Sequence, residues 1–229
     1  MSIKEIQISG HTFVTIECCE GGLKVLTHKD TEVNIVNNIL VIKDPNNGNN
    51  FNNSFNNISI NGNSSISFNG YSFVNNFNNI NKNQCNIVHE IKCQYDIDKI
   101  GSKGAMSTSF LIPLNQNCQI ILEGSGKLNF KVKYKFQNIN VILTGSGDII
   151  IDCDAINANI VLSGSGDISI NGLIQNAQMT LTGSGDINEF TIEKTGSFIL
   201  TGRGDIKGRK LSDAIITKNK TGSGDIKIK

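Results

Sequence analysis

One short motif recurs six times in the second half of the chain, each copy a variant of Leu-Thr-Gly-Ser-Gly-Asp-Ile. Successive copies are separated by 21, 19, 19, 19 and 20 residues, counted between their first glycines. A nearly constant period is typical of repeat proteins, in which each repeat is one structural unit that stacks on its neighbours. This repeat constrains the fold more strongly than any other feature of the chain.

The residues on both sides of each motif alternate between apolar and polar types. Val141 and Leu143 precede one copy, and Ile149 and Ile151 follow it. Period-two alternation predicts strands with one buried face, and a strand rises ~3.3 Å per residue. A repeat of this length therefore suits a narrow three-sided or flattened coil. We predict an all-β fold, a parallel β-solenoid (β-helix) with about six rungs from residue 118 onward.

Both glycines of each motif are predicted to be structural, because a sharp bend repeated in every rung needs positive φ angles that glycine adopts most easily. The aspartate is expected to cap backbone N–H groups of its turn, and the isoleucine to return the chain to the core. Lysines in the last copy predict protection of the terminal strand edge. The predicted turn glycines are Gly124, Gly126, Gly145, Gly147, Gly164, Gly166, Gly183, Gly185, Gly202, Gly204, Gly222 and Gly224.

The corner aspartates form the candidate site. In stacked rungs their carboxylates would lie about 5 Å apart, and each neighbouring pair would repel by roughly 1 kcal/mol in water. Backbone capping is one way to offset this repulsion, and binding of Ca²⁺, which prefers oxygen ligands, is another. No other cofactor is predicted. The candidate ladder for a ligand or cation consists of Asp148, Asp167, Asp186, Asp205 and Asp225.

Composition excludes several functional classes. The chain has 21 Lys and Arg against 20 Asp and Glu, so it lacks the basic excess of a nucleic-acid binder. No apolar run is long enough for a membrane span, and no signal peptide is recognisable, which predicts a cytoplasmic location. The six cysteines show no zinc-ligand spacing and are predicted to be reduced.

Three segments are predicted. Residues 1–43 are expected to be β-strands that cap the solenoid, and residues 87–229 to form the solenoid itself. Residues 44–86 are rich in asparagine and low in complexity, so we interpret them as a partly disordered insertion.

The opening IKEIQISGHTFVTIECCEGGLKVLT, the strand ILVIK and the LTGSGDI corners together resemble the GIN head domain family of auto-transporter adhesins. This resemblance covers most of the chain apart from the asparagine-rich segment. It implies a right-handed β-helix and an adhesin-like role, and relatives in this family are usually exported.

The functional prediction is a noncatalytic structural or binding scaffold, adhesin-like and of unknown ligand, with a protein or a glycan as the candidate partner. The alternative is a carbohydrate-binding or carbohydrate-active protein on a β-helix, in which Asp148 or Asp167 would act with Arg203. The sequence has no nucleophile elbow and no phosphate-binding loop. The tripeptide Arg203-Gly204-Asp205 differs from the other corners by one substitution and is interpreted as coincidental.

Overall fold

The computed structural model describes residues 2–10, 13–19, 22–28, 32–36, 39–43, 64–68, 71–75, 86–92, 94–105 and 107–229. All regular secondary structure in these ranges is β-strand, which confirms the all-β prediction. No helix in the described ranges has the length and apolar character needed to cross a membrane.

Eighteen strands make up the described structure. Eight precede the solenoid repeats proper: β1 (Ser2–Gly10), β2 (Phe13–Cys19), β3 (Gly22–His28), β4 (Glu32–Val36), β5 (Ile39–Lys43), β6 (Ser64–Phe68), β7 (Tyr71–Asn75) and β8 (Asn86–Lys92). Ten follow: β9 (Gln94–Gly104), β10 (Ser107–Leu111), β11 (Asn117–Gly124), β12 (Lys127–Gly145), β13 (Asp148–Gly164), β14 (Ile168–Gly183), β15 (Ile187–Gly202), β16 (Ile206–Lys210), β17 (Ile215–Gly222) and β18 (Ile226–Ile228).

The first side of the coil is a parallel sheet formed by the strand segments that end on a corner glycine. From β9 it continues through β11, the C-terminal halves of β12 to β15, and β17. The corner glycines are paired in register from rung to rung, as in Gly145 with Gly164 and Gly164 with Gly183. The predicted parallel β-solenoid is therefore confirmed.

Each turn of the coil has two further sides. The residues after the corner form the second side, where Ile149 pairs with Ile168 and Ile168 with Ile187. A bend then leads to a short third side, where Ala155 pairs with Ile174. The long strands β12 to β15 thus wrap around the core as a three-sided coil.

The solenoid begins earlier than the sequence predicts. Strand β1 pairs in parallel with β9, with Gly10 opposite Gly104, and β2 pairs in parallel with β10. Strands β1 and β2 therefore form a rung of the coil. Their turn lacks the Gly-Ser-Gly-Asp motif, so repeat counting alone does not detect this rung.

Antiparallel strands extend the sheet beyond this first rung. Strand β5 lies parallel to β1, and β4 folds back on β5. On the second side, β3 pairs with β2 and β8 with β3, followed by β7 and β6. Strands β6 and β7 fall within the predicted insertion. The rest of that insertion, residues 44–63, 69–70 and 76–85, lies outside the described residues, so its partial disorder remains a prediction.

The core consists of files of apolar side chains that run along the solenoid axis. One file is fully buried and contains Leu122, Leu143, Leu162, Leu181 and Leu200. Burial of each such side chain contributes roughly 1.5–3 kcal/mol. In the last rung Lys220 pairs with Leu200 and Lys218 with Phe198. Lysines therefore stand in place of apolar residues at the ends of two core files. Lys218 donates a 2.9 Å hydrogen bond to the carbonyl of Ile226, which keeps its charge at the end of the coil.

The two glycines of each corner are required for different reasons. The first has a positive φ, between 119° and 135° from Gly124 to Gly222. The second does not, contrary to the prediction. A Cβ at Gly166 would instead overlap the carbonyl oxygen of Gly147 in the preceding rung. The second glycine therefore permits the close approach of two backbones at the corner.

Substitution Gly166→Ala should destabilise the protein, because the added methyl group collides with backbone that cannot move without breaking the register. We expect a loss of at least about 2 kcal/mol in the free energy of unfolding, as for overpacked core positions. The matched control is Ser165→Ala at the exposed neighbouring position, which should change stability by less than about 0.5 kcal/mol. Urea unfolding followed by circular dichroism measures both, and equal stability of the two variants would contradict the steric explanation.

Candidate functional site

The aspartate file (Asp148, Asp167, Asp186, Asp205 and Asp225) runs along the corners of the coil. Three carboxylates accept backbone hydrogen bonds from the following aspartate. Asp186 N–H donates to Asp167 Oδ1, Asp205 N–H to Asp186 Oδ1, and Asp225 N–H to Asp205 Oδ1, each at 2.8 Å. Capping was predicted within each turn, whereas these hydrogen bonds join one rung to the next. The carboxylates therefore stabilise the stacking of the corners.

Lysines supply the opposite charge that a file of carboxylates needs. The amine of Lys207 lies 3.1 Å from Asp186 and 2.9 Å from Asp205. Lys227 lies 2.9 Å from Asp225. Lys127, which replaces aspartate in the first corner, lies 3.6 Å from Asp148. The like-charge repulsion expected from the sequence is therefore offset locally.

Asp167 and Arg203 differ from this pattern. Among the described residues, Asp167 has a backbone donor but no ion pair, and Arg203 forms no ion pair with the file. Lys207, and not Arg203, bridges Asp186 and Asp205. Within the Arg203-Gly204-Asp205 tripeptide, Gly204 is buried and the Asp205 carboxylate is engaged by Lys207 and by the Asp225 N–H.

The aspartate file does not form a recognisable metal centre. No group of three or more His, Cys, Asp or Glu side chains in the described ranges is arranged to hold a metal ion. At Asp186 and Asp205, one oxygen accepts a backbone hydrogen bond and the other faces Lys207. Of the two ways to offset the carboxylate repulsion, backbone capping is observed between rungs, and Ca²⁺ binding is still to be tested.

The electrostatic environment lowers the pKa of Asp205 below its ordinary value. The main causes are the hydrogen bond from Lys207 and then the hydrogen bond from the Asp225 N–H. The same contacts, Asp205 first and then Asp186, raise the pKa of Lys207. A carboxyl group with a lowered pKa stabilises the folded state above its unfolded pKa, and this contribution is lost as the pH falls through the folded-state pKa.

Acidification should therefore weaken the wild-type protein more than the Asp205→Asn variant. Between about pH 5 and pH 2 we expect an extra loss of up to about 1 kcal/mol in wild type, because only wild type must protonate this carboxylate. Thermal melting across this range measures the difference. The control is Asp213→Asn, at an exposed position outside the corners, which should follow the wild-type pH dependence.

Calcium should leave the melting temperature unchanged relative to EDTA, because Asp186 and Asp205 in the middle of the file already use their carboxylate oxygens for backbone N–H groups and Lys207. The Lys207→Met variant lacks the amine that competes with a cation for Asp186 and Asp205. Its melting temperatures with Ca²⁺ and with EDTA therefore give a more sensitive comparison than those of the wild type. A stabilising shift with Ca²⁺ in wild type, supported by heat in a calorimetric titration, would instead identify the file as a cation site.

A groove of about 750 Å³ lies on the first side of the coil and runs along the solenoid axis. Two outward-facing polar columns flank it. The first polar column consists of Asn117, Asn138, Asn157, Asn176 and Thr195, and the second of Gln119, Asn140, Asn159, Gln178 and Ser197. We call this feature the polar groove.

The first polar column is a continuous chain of side-chain hydrogen bonds. Thr195 donates to Asn176 at 2.9 Å, Asn176 to Asn157 at 3.1 Å, and Asn157 to Asn138 at 2.9 Å. Asn138 in turn donates to Asn117 at 2.6 Å. In the second column, Asn159 donates to Asn140 at 3.0 Å. These bonds hold the amides in fixed orientations.

Between the columns the groove has a narrow floor. The residues there point into the core and are small in the central rungs, where Ala158, Ala177 and Gly196 are buried. The groove was not predicted from the sequence, although a signal for it is present. Asparagine recurs with the corner period at positions 138, 157 and 176, and it is neither an acidic nor a typical catalytic residue.

The surface beside the polar groove is free of charge. The segments 138–145, 157–164, 176–183 and 195–202 contain no charged residue, although the whole chain has 41. A file of exposed hydroxyl side chains lies next to the corners, and it consists of Thr144, Ser163, Thr182, Thr201 and Thr221. Four consecutive rungs thus present a neutral polar face.

A second groove, of about 1050 Å³, lies on the second and third sides near the C-terminal rungs. Ion pairs lie in and beside it: Lys133 lies 3.1 Å from Asp154, and Lys207 bridges Asp186 and Asp205. Glu189, at its edge, is the one non-glycine residue in the described ranges with positive φ, at 71°.

The buried cysteines are not nucleophiles. Cys118 and Cys153 are free thiols inside the coil. Burial is the main cause that raises the pKa of each to about 12. Both thiols are therefore protonated at neutral pH, and the reactive thiolate form is absent.

The resemblance inferred from the sequence is confirmed over residues 98–195, which match the family described as "Putative auto-transporter adhesin, head GIN domain". No curated protein matches the chain. Among solved structures, the chain is similar to a "putative adhesin" from Bacteroides fragilis NCTC 9343, with TM-score 0.67 and 18% identity, covering 100% of this chain and 93% of that one. It is also similar to a "Putative lipid binding protein" from Parabacteroides distasonis ATCC 8503, with TM-score 0.59 and 17% identity, covering 99% and 92%. At these identities the two structures support the fold alone.

Proposed function

We propose that this chain is a noncatalytic binding module whose polar groove and neutral first side form the contact surface for an external partner. The observation that carries the proposal is the first polar column, hydrogen-bonded along its whole length, beside the second column on an uncharged face. Rigid polar groups lose little side-chain entropy when a ligand binds. The family description supports an adhesin-like role, and an exported location accords with that role.

A binding role fits the chemistry of the groove better than catalysis. Glycoside hydrolysis uses two carboxyl groups on opposite sides of the bond that breaks. Among the described lining residues, Asp98 is the single carboxylate, and it lies at one end of the groove. The aspartate file lies at the corners, where its oxygens maintain the fold. The predicted alternative of a carbohydrate-active enzyme is therefore less well supported than a carbohydrate-binding one.

The proposal predicts that binding depends on the polar groove. The immobilised full chain would be exposed to arrays of glycans and extracellular matrix proteins. Any true partner should be lost in the double variant Asn157→Arg/Asn176→Arg, which places two large charges in the groove. The control Asn171→Arg makes the same change at an exposed position on the second side and should retain the partner.

Incubation of each glycan hit with the protein should release no smaller product, as measured by reducing-end assay and mass spectrometry. Cleavage would contradict the noncatalytic assignment. Hits that survive in the double variant as well as in the control would contradict the groove as the contact surface.

A further inference from the structure

The polar groove is defined by neutral groups that both donate and accept hydrogen bonds. An asparagine side chain has two N–H donors and two acceptor lone pairs. Within the first polar column, Asn157 uses one donor toward Asn138 and one acceptor for Asn176. One N–H and one lone pair of this amide therefore remain available to a ligand. A matching ligand must itself carry both donors and acceptors and no charge.

The geometry of the groove favours a long ligand over a compact one. The groove extends over six rungs, from Asn117 to Thr217, and neighbouring rungs are ~4.8 Å apart. The groove is therefore about 24 Å long, and the columns, two residues apart along each strand, are separated by about 7 Å. Equivalent groups recur once per rung, so the repeating unit of the ligand should have a length close to the ~4.8 Å spacing between rungs.

From these observations we infer that the polar groove binds a neutral, linear polysaccharide that lies along the solenoid axis, with about one sugar unit per rung. This inference rests on the proposed function and specifies its ligand. Sugar hydroxyl groups donate and accept hydrogen bonds without charge. In an extended glycan chain, the length of one sugar unit is comparable with the ~4.8 Å spacing between neighbouring rungs.

Other polymers fit less well. An acidic polysaccharide or nucleic acid would find no cation within the first-side segments of the four central rungs. An acyl chain would cover the amides without bonding to them, and each unpaired buried amide is unfavourable by about 1–3 kcal/mol. An extended peptide repeats every ~3.4 Å, so its groups would lose register with rungs ~4.8 Å apart.

The groove also predicts how affinity depends on ligand length. No aromatic side chain lines it within the described residues, so each sugar unit has no stacking platform and binds weakly. Affinity must then accumulate from identical contacts in successive rungs, as in multivalent binding. It should rise with chain length until the ligand fills the groove and then remain constant.

The test is isothermal titration of the full chain with neutral linear gluco-, manno- and xylo-oligosaccharides of two to eight units. Oligogalacturonates of the same lengths are the acidic comparison. At least one neutral series should bind, with an affinity that increases at least about tenfold between two and five units and then levels off. Because no charge takes part, added salt should change this affinity little.

Two groove variants identify the site. Asn157→Leu keeps the size of the side chain but removes its donors and acceptors, and Ser197→Phe obstructs the groove from an exposed position. Both should abolish binding, whereas Asn171→Leu and Asn171→Phe on the second side should not. Since Ser197 lies outside the hydrogen-bonded first column, its variant remains informative even if Asn157→Leu folds poorly.

Failure of this inference is distinguishable from failure of the proposed function. If only acidic oligomers bind, or no neutral series binds while a groove-dependent protein or lipid partner is found, the ligand assignment is wrong and the binding role stands. If neutral glycans bind equally well to the wild type and to both groove variants, the polar groove is not the glycan-binding site. If no partner of any kind depends on the groove, the proposed function also fails.

Discussion

At each Gly-Ser-Gly corner, one glycine carbonyl oxygen accepts hydrogen bonds from two backbone N–H groups of the next rung. Gly145 accepts from Ser165 at 2.9 Å and from Gly166 at 3.2 Å, and Gly164 accepts from Ser184 and Gly185 in the same way. This forked contact requires the two corners to lie almost in van der Waals contact. Because no Cβ fits there, both glycines recur, and because the corners cannot slip, every other file of the solenoid is held in register.

The fixed register between rungs aligns equivalent side chains of successive rungs into columns. Once the corners are aligned, leucines stack on leucines inside the coil, and asparagines stack on asparagines outside it. The same alignment brings the corner aspartates together, which would be unfavourable for free carboxylates. Their hydrogen bonds to the next backbone and their lysine partners make this arrangement compatible with the fold. The aspartate file is therefore best understood as part of the stacking mechanism.

Charge is distributed unevenly around the coil. The corners and the second and third sides contain ion pairs such as Lys133 with Asp154, whereas the first side is neutral over four rungs. A solenoid does not need an uncharged face for solubility or stability, since outward positions tolerate charge. The exclusion of charge from one side, together with the oriented amides on it, is the feature on which the proposed binding surface rests.

Several features could be predicted from the sequence because they repeat. The period of the corners predicted the stacked coil, the alternation around Leu143 and Ile149 predicted the strands, and Lys220 at a core position predicted the protected end. Non-repeating features were harder to predict. The rung formed by β1 and β2 has no motif, and the different role of Gly166 depends on how closely Gly147 approaches it.

The sequence by itself thus determined the repeat, the strand pattern and the identity of the corner residues, since these depend on local conformation and on periodicity. Only the tertiary structure decided which residues meet. Asp205 bonds to the backbone of Asp225, Lys207 rather than Arg203 bridges the aspartates, and Asn157 joins a column with Asn138 and Asn176. These contacts join residues about one full turn apart, and their geometry depends on the exact stacking offset between rungs. That offset is set by backbone packing at the corners, which no single repeat contains.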